Sequence, residues 1–227
     1  MLARTLQLIN QDKIALYVAF IAKLLALLPG MFLFNAGEAV VIYSTLLITF
    51  AEIIFTSLFA AECARQMIVR KKIFVGQTFA DTFKRYIPTL FFGVIIPFLA
   101  IMILYFVAAL FFGQYGERLI SAAVLPLGIA LGLALVFFPV VYVLSSSSAS
   151  KTYALLGNYV RKNFRHAFQS IVFVLMTALL FGCLAIMLKD LPYADILSAL
   201  LGCCHSVFVV YGLVVLFMGQ NQVSELV

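Results

Sequence analysis

Long stretches without a charged residue dominate this sequence and limit what the chain can fold into. Residues 86–116 and 119–150 contain no Asp, Glu, Lys or Arg, and apolar side chains fill most of both stretches. A helix that crosses a bilayer needs about 20 mostly apolar residues, whereas a strand of a membrane barrel needs about 10 residues of alternating polarity. Continuous apolar runs of this length predict an all-α protein whose helices lie in a membrane.

The composition leaves no room for a second, soluble domain. Of the 227 residues, 65% are apolar and 11% are charged, whereas average soluble domains are about 45 to 50% apolar and about 25% charged. We therefore predict one integral membrane domain over residues 1–227. It is a polytopic helical bundle with six transmembrane helices, placed by the apolar runs near residues 14–34, 39–61, 87–112, 118–144, 165–188 and 195–218.

The basic residues predict the orientation of these spans. The chain has 15 Lys plus Arg against 9 Asp plus Glu, a net charge of +6, and most of the bases between spans fall on one side. Arg118 and Lys189 fall on the other side. Because cytoplasmic loops are enriched in Lys and Arg, we expect a multi-pass protein of the cell (inner) membrane with both termini in the cytoplasm. Bases between apolar runs favour anionic phospholipids as partners, and not nucleic acid.

Each of the two longer cytoplasmic connections is predicted to contain a short amphipathic helix. In the first, Thr78 and Asp81 have the spacing of a capping box, and apolar side chains then share one helical face: Phe79, Phe83, Tyr86 and Ile87. In the second, Ser150 is placed to cap a helix whose apolar stripe contains Tyr153, Leu156, Val160 and Phe164. Helices with an apolar face and a basic face lie in the membrane interface.

The two connections resemble each other at a constant offset of 77 residues, which pairs Phe83 with Val160 and Phe79 with Leu156. We interpret this likeness as a parallel internal repeat with units 39–112 and 118–188. Each unit would contain an inward span, a surface helix and an outward span, and the two would be related by an axis along the membrane normal. The alternative interpretation is that the basic cytoplasmic loops of any polytopic protein resemble each other to this extent.

Residues 137–180, FFPVVYVLSSSSASKTYALLGNYVRKNFRHAFQSIVFVLMTALL, resemble the signature of a prokaryotic group of six-span proteins. This group includes the YciC-like proteins and the membrane domain attached to some glycerophosphodiester phosphodiesterases. GQTFADTFKRYIPTLFFGVIIP, residues 76–97, resembles the matching element of the first half. The resemblance implies a six-span membrane module without the phosphodiesterase domain. Ser145 to Ser148 stand where an acidic residue is common in that group, which puts any role of that carboxylate in doubt here.

Two charged residues fall inside predicted spans, where a charged side chain costs about 2.5 to 3.5 kcal/mol on insertion. Lys23 and Glu52 lie at similar depths in the first and second spans, so the geometry of the two helices permits an ion pair. Such a pair fits a structural role, which we favour. It also fits a proton or ion relay. Glu38 and Glu62 lie near the ends of the predicted second span, where we expect both to be solvated.

No motif predicts a cofactor, a metal site or catalysis. Cys203, Cys204 and His205 are adjacent in sequence, and adjacent residues of a helix point about 100° apart, so they cannot bind one metal ion together with Cys183. Small residues instead indicate faces where helices pack closely. Three such groups are present: Ala15, Ala19, Ala22 and Ala26; Gly128 and Gly132; and Ser198, Gly202 and Ser206.

These features favour a non-catalytic membrane protein that binds phospholipid, partner proteins or both at its cytoplasmic face. The predicted binding residues are bases of the surface helices and of the turn before the first one: Arg70, Lys71, Lys72, Lys84, Arg85, Arg161, Lys162 and Arg165. The alternative is a membrane subunit of a transporter or channel, with a separate ATPase on the same helices and Lys23 and Glu52 in its pathway. A membrane-embedded enzyme of lipid metabolism is the weakest hypothesis, since Asp81 and His166 alone could supply acid-base chemistry near the headgroups.

Overall fold

The protein is a bundle of helices. A computed structural model describes residues 2–11, 13–32, 38–100, 102–103, 106–107, 110, 136–145, 148–191 and 193–218, and within these ranges no strand occurs. The helices, in chain order, are α1 (Leu2–Gln11), α2 (Ile14–Phe32), α3 (Glu38–Arg70), α4 (Val75–Leu90), α5 (Val136–Ser145), α6 (Ala149–Lys162), α7 (Phe164–Leu188) and α8 (Ala194–Met218). A π-helical turn, Phe91–Ile95, continues α4 without a break as far as Ala100.

The predicted all-helical class is confirmed, and the described part of the chain contains four helices long and apolar enough to cross a membrane. They are Leu47–Arg70, Val75–Ala100, Phe164–Leu188 and Ile196–Met218. Two shorter apolar helices, Ile14–Ala26 and Val136–Ser145, lie within the first and fourth predicted spans. Most of the fourth predicted span, residues 118–144, lies outside the described ranges. The number six therefore stays a prediction.

Segments of three helices form the core. Residues 56–64 of α3, 137–141 of α5 and 209–215 of α8 are buried without exception, so these segments have no face toward the surroundings. Their neighbours meet them at one end of the bundle. There α1 packs on α8, α4 packs on α3, and Tyr159 of α6 lies 4.6 Å, ring to ring, from Phe217 of α8. We call this the basic end, because the predicted bases of α3, α4 and α6 lie there.

The outer helices turn small hydroxyls toward the core and large apolar side chains outward. On α4, Thr78 and Thr82 are buried, whereas Phe83 and Ile87 are 62% and 66% exposed. On α7 the side chains that are more than half exposed are Phe164, Phe168, Met176, Leu179, Leu180, Ile186 and Met187. Soluble proteins rarely expose a continuous apolar surface of this extent. Lipid tails satisfy such a surface, so the arrangement indicates a membrane-embedded protein.

The small-residue faces pack only in part where the sequence predicts. Ala15 and Ala19 of α2 are fully buried, and the Ala19 carbonyl accepts a hydrogen bond from the Cys203 thiol at 3.5 Å. On α8, Ser198 and Gly202 are exposed, and no atom of the described residues lies within 4 Å of a methyl group placed on Gly202, so the predicted close packing does not occur there within the described part of the bundle. The close approach of α8 occurs at Gly212 instead. Gly128 and Gly132 lie outside the described residues.

The first surface helix begins earlier than predicted and does not end before the third span. Phe74 precedes the first residue of α4, so Thr78 lies inside the helix, and its hydroxyl donates to the Phe74 carbonyl at 3.1 Å. The predicted capping box of Thr78 and Asp81 is therefore wrong. The predicted apolar face packs against α3, because Phe79, Phe83 and Tyr86 form ring contacts with Phe55.

The second surface helix also begins earlier than predicted, by two residues. Ser148, and not Ser150, precedes α6, and the buried Thr152 donates to the Ser148 carbonyl at 3.3 Å as Thr78 does to Phe74. This match has an offset of 74 residues, one helical turn away from the predicted 77. The structure thus favours a different register for the two surface helices, and the internal repeat itself stays a prediction.

The π-helical turn leaves a carbonyl that α6 satisfies. The Ile96 N–H bonds to the Phe91 carbonyl in the π pattern. The Phe92 carbonyl would be next, but Pro97 has no N–H to offer it. The hydroxyl of Tyr153 in α6 donates to this Phe92 carbonyl at 2.7 Å. Burial raises the pKa of the Tyr153 hydroxyl above its ordinary value.

We expect Gly212→Ala to destabilise the bundle. A methyl group at this position would lie 2.5 Å from the ring of Phe173 in α7, so the ring or the helix must shift. Overpacking of this kind costs about 1 to 3 kcal/mol of unfolding free energy. The matched control on the same helix is Gly202→Ala, which meets no neighbour. Thermal unfolding in detergent measures both variants, and equal midpoints would contradict the packing of α7 on α8.

We expect Tyr153→Phe to destabilise the protein as well, because it removes the donor and leaves the Phe92 carbonyl unsatisfied. The loss should be about 1 to 3 kcal/mol of unfolding free energy. Tyr17→Phe is the control, since Tyr17 is 63% exposed on α2. The comparison uses chemical denaturation in mild detergent. A Tyr153 variant as stable as the Tyr17 variant would show that this hydrogen bond does not stabilise the π-helical turn.

Candidate functional site

The structure brings Lys23 and Glu52 together. The ammonium of Lys23 on α2 lies 3.3 Å from one carboxylate oxygen of Glu52 on α3, and the Thr56 hydroxyl donates to the other oxygen at 3.3 Å. The side chains are 28% and 9% exposed. The carboxylate therefore has a charged and a neutral partner, which is the arrangement that a buried charge requires.

A cavity of about 410 Å³ lies beside this ion pair, between α2, α3 and α4. Apolar side chains form most of its walls, and Glu52 is the acidic residue among them. Tyr86 closes one side, where its hydroxyl donates to the Ala51 carbonyl at 3.3 Å. A carboxylate next to an apolar cavity has the chemistry to hold a cation or pass a proton. The cavity also fits a simple gap in the packing around a structural ion pair.

The predicted basic residues fall into three places. Arg70, Lys71 and Lys72 lie at the turn from α3 into α4 and are exposed. Arg70 donates to the Gln77 amide oxygen at 3.0 Å, and both Arg70 and Lys72 lie over the ring of Phe74, at 5.9 Å and 5.7 Å from its centre. These contacts order the turn and leave the positive charges at the surface.

Arg85 has a different position from the other bases. Its guanidinium donates to the Tyr142 carbonyl at 3.2 Å and lies 5.4 Å from the centre of the Tyr142 ring. Tyr142 is in the last described turn of α5, and a cation is favourable near the C-terminal end of a helix. Arg85 therefore joins α4 to the C-terminal end of α5, which leaves Lys84 as the exposed base of the pair.

Arg161, Lys162 and Arg165 surround the junction of α6 and α7 and are all exposed. Phe164 lies between them and is 70% exposed, and its ring stacks on that of Phe168 one turn later at 6.5 Å. Exposed bases thus stand directly beside exposed aromatic side chains. This combination is typical of the boundary between headgroups and hydrocarbon.

A buried charge cluster at the basic end was not predicted from the sequence, which suggested that Glu62 is solvated. Glu62 is 1% exposed and forms a two-bond ion pair with Arg65, in which Arg65 Nε donates to Oε2 at 3.0 Å. Gln66 donates to the same carboxylate at 3.1 Å and accepts the Phe74 N–H at 2.9 Å. The spacing of Glu62, Arg65 and Gln66, three and four residues apart, was the available signal.

Two further charges lie close to this cluster. Arg85 interacts electrostatically with Glu62, and Asp81 interacts with Arg65. The cluster therefore contains acidic and basic residues of both α3 and α4. It neutralises itself, so its contacts explain how the turn between the helices is held and offer no unsatisfied charge to a ligand.

The cysteines and histidines do not converge. Cys203 is buried and Cys204 is exposed, as the angle between adjacent helical residues requires. Among the described residues no group of three His, Cys, Asp or Glu side chains could hold a metal ion. His166 faces Gln169 on its own helix, with 3.1 Å between Nδ1 and Oε1.

Comparison with known proteins found no matching protein family, no matching curated protein and no matching solved structure. The resemblance to the YciC-like group therefore stays a prediction from the sequence.

Proposed function

We propose that this protein is a non-catalytic, multi-pass protein of the cytoplasmic membrane that binds anionic phospholipid at its basic end. Both termini and the basic end face the cytoplasm in this proposal. The observation that carries it is the junction of α6 and α7, where Arg161, Lys162 and Arg165 are exposed beside the exposed Phe164. Phenylalanine rings partition into the acyl region while the bases reach the phosphates above it.

The other exposed bases extend the same face. Arg70, Lys71, Lys72 and Lys84 are exposed around the start of α4, and they add positive charge at the same end of the bundle. Arg85 is not part of the proposed lipid contact, because its guanidinium is already engaged by Tyr142. Partner proteins of acidic or membrane-bound character would meet the same face. The YciC-like resemblance, with its six-span membrane module, agrees with this proposal.

The proposal predicts that neutralising the junction weakens the binding of anionic lipid. Each base near a charged membrane surface contributes about 1 kcal/mol of binding free energy, so Arg161→Gln, Lys162→Gln and Arg165→Gln together should lower the affinity roughly 100-fold. Lipids that co-purify with the tagged protein in a native-lipid-retaining polymer are quantified by mass spectrometry. We expect the ratio of anionic to zwitterionic lipid to fall toward that of the bulk membrane.

The control for this experiment removes the same net charge elsewhere. Lys13→Gln, Lys151→Gln and Lys189→Gln are all substitutions of exposed residues away from the junction. This variant should retain the lipid ratio of the unmodified protein. If both variants lose anionic lipid equally, the effect is one of total charge and the proposed contact at the junction is wrong.

A transport function is the second candidate, and the cavity beside Glu52 favours it. In this alternative the protein is the membrane subunit of a transporter or channel, with a separate ATPase docked on α4 and α6. The ion pair of Lys23 and Glu52 would line the pathway, and the cavity would be part of it. Buried ionisable groups in spans are often the relay groups of transport proteins.

Replacing both charges tests the alternative. Lys23→Met with Glu52→Gln removes the pair without leaving one charge unpaired, and it should abolish proton or cation flux into proteoliposomes if the pair lines a pathway. Lys189→Met with Asp190→Asn is the matched control, since it removes an adjacent exposed pair in the turn before α8. Flux that is absent from the unmodified protein, or unchanged in the first variant, would exclude the transport hypothesis.

A further inference from the structure

A second pocket lies at the basic end, between α1 and the C-terminal end of α3. It has a volume of about 580 Å³. Its lining combines two cations and two amides, Arg4, Lys71, Gln7 and Gln11, with apolar side chains that include Leu8 and Met67. None of the described residues that line the pocket is acidic. The pocket is separate from the α6 and α7 junction and from the ion pair of Lys23 and Glu52.

The helix α1 forms one wall of the pocket. Its side chains lie on three faces, one buried in the bundle, one exposed and one lining the pocket. Thr5 and Leu8 are buried against the bundle, where α1 packs on α8. Leu2 and Leu6 are 55% and 57% exposed. Arg4, Gln7 and Gln11, at spacings of three and four residues, share the remaining face. All three polar residues of this face line the pocket.

Lys71 forms the opposite wall and has an unusual backbone. Its φ angle is 54°, in the left-handed region that favours glycine, and its N–H closes the last turn of α3 on the Met67 carbonyl at 3.1 Å. Glycine is the usual residue at this place after a helix. The following turn is held from within by the bond between Gln66 and the Phe74 N–H. Lys71 thus adopts a backbone angle at the pocket that glycine would adopt with less strain.

The lining fits an anion. Arg4 and Lys71 form no ion pair with an acidic side chain among the described residues. A guanidinium, an ammonium and two primary amides provide donors from several directions, which suits the oxygens of a phosphate group. The apolar wall of Leu8 and Met67 would contact the organic part of a ligand.

We propose that this pocket binds a phosphate-class anion, with Arg4 and Lys71 as the charged contacts and Gln7 and Gln11 as additional donors. The phosphate could belong to a lipid with a phosphomonoester headgroup or to a soluble phosphorylated molecule. If the phosphate belongs to a lipid, this proposal rests on the proposed function and deepens it. A soluble source would make the pocket a ligand site independent of the α6 and α7 junction.

The test measures binding to the full chain in nanodiscs. Phosphatidylcholine discs receive inorganic phosphate or glycerol 3-phosphate from solution, and a second set of discs contains phosphatidic acid. The readout is the shift of the thermal unfolding midpoint with ligand concentration. Stabilisation by the soluble anions identifies a soluble source, and stabilisation by phosphatidic acid alone identifies the lipid source.

Two variants assign the effect to the pocket. Arg4→Gln and Lys71→Gly should each weaken binding about tenfold, since each removes a charged donor. Lys71→Gly keeps the fold, because glycine adopts the backbone angle of Lys71 without strain. Lys151→Gln, at an exposed base of α6, is the control and should bind as the unmodified protein does.

The outcomes separate this inference from the proposed function. If no phosphate-class anion stabilises the protein, or if Lys71→Gly and Lys151→Gln bind equally, the pocket proposal is wrong while the lipid contact at the junction can still hold. If the pocket variants lose binding but the Arg161, Lys162 and Arg165 variant keeps its anionic lipid, the pocket stands and the junction does not.

Discussion

The rest of the structure depends on the complete burial of one segment of α3, residues 56–64. Residues 56–64 have no exposed face, so the neighbouring helices must cover them on every side. Glu62 is within this segment, and an unpaired buried carboxylate costs several kcal/mol. Its partners Arg65 and Gln66 follow on the same helix, and Gln66 in turn holds the first turn of α4. Arg85 of α4 interacts electrostatically with Glu62 and donates a hydrogen bond to the Tyr142 carbonyl of α5. Contacts that begin at this carboxylate thus link three helices.

The exterior of the bundle is suited to lipid as its surroundings. The basic residues fall into two kinds, those turned inward and those left exposed. Outer helices expose large apolar side chains because lipid, and not water, surrounds them. Arg65 and Arg85 are turned inward. Arg65 pairs with the buried Glu62, and Arg85 donates to the Tyr142 carbonyl of α5. Arg161 and Arg165 remain exposed beside the exposed rings of Phe164 and Phe168. The same residue type therefore stabilises the fold in one place and is available to ligands in the other, and only the packing distinguishes them.

The helical class and the apolar helices could be predicted from the sequence because run length is a property of each segment alone. The proximity of Lys23 and Glu52 followed from their depths in consecutive helices. Glu62 was misjudged because its burial depends on helices that are distant in sequence, such as α4, which packs on α3. Thr78 and Ser150 have the spacing or type of capping residues, but both helices begin earlier. For α4 the reason is Gln66, whose amide oxygen accepts the Phe74 N–H just before the helix. The pocket under α1 needed the docking of α1 on α8, which no local pattern shows.

The most direct test of this account maps the protein surface that touches lipid. A phospholipid with a photoactivatable diazirine in its acyl chain is reconstituted with the protein, and the cross-linked residues are identified by mass spectrometry. We expect cross-links along α7, at side chains such as Leu179 and Met187, and along Val75–Ala100. Residues 56–64 and 209–215 should carry none. Cross-links to these core segments at the frequency found on α7 would contradict the central burial of α3 and α8.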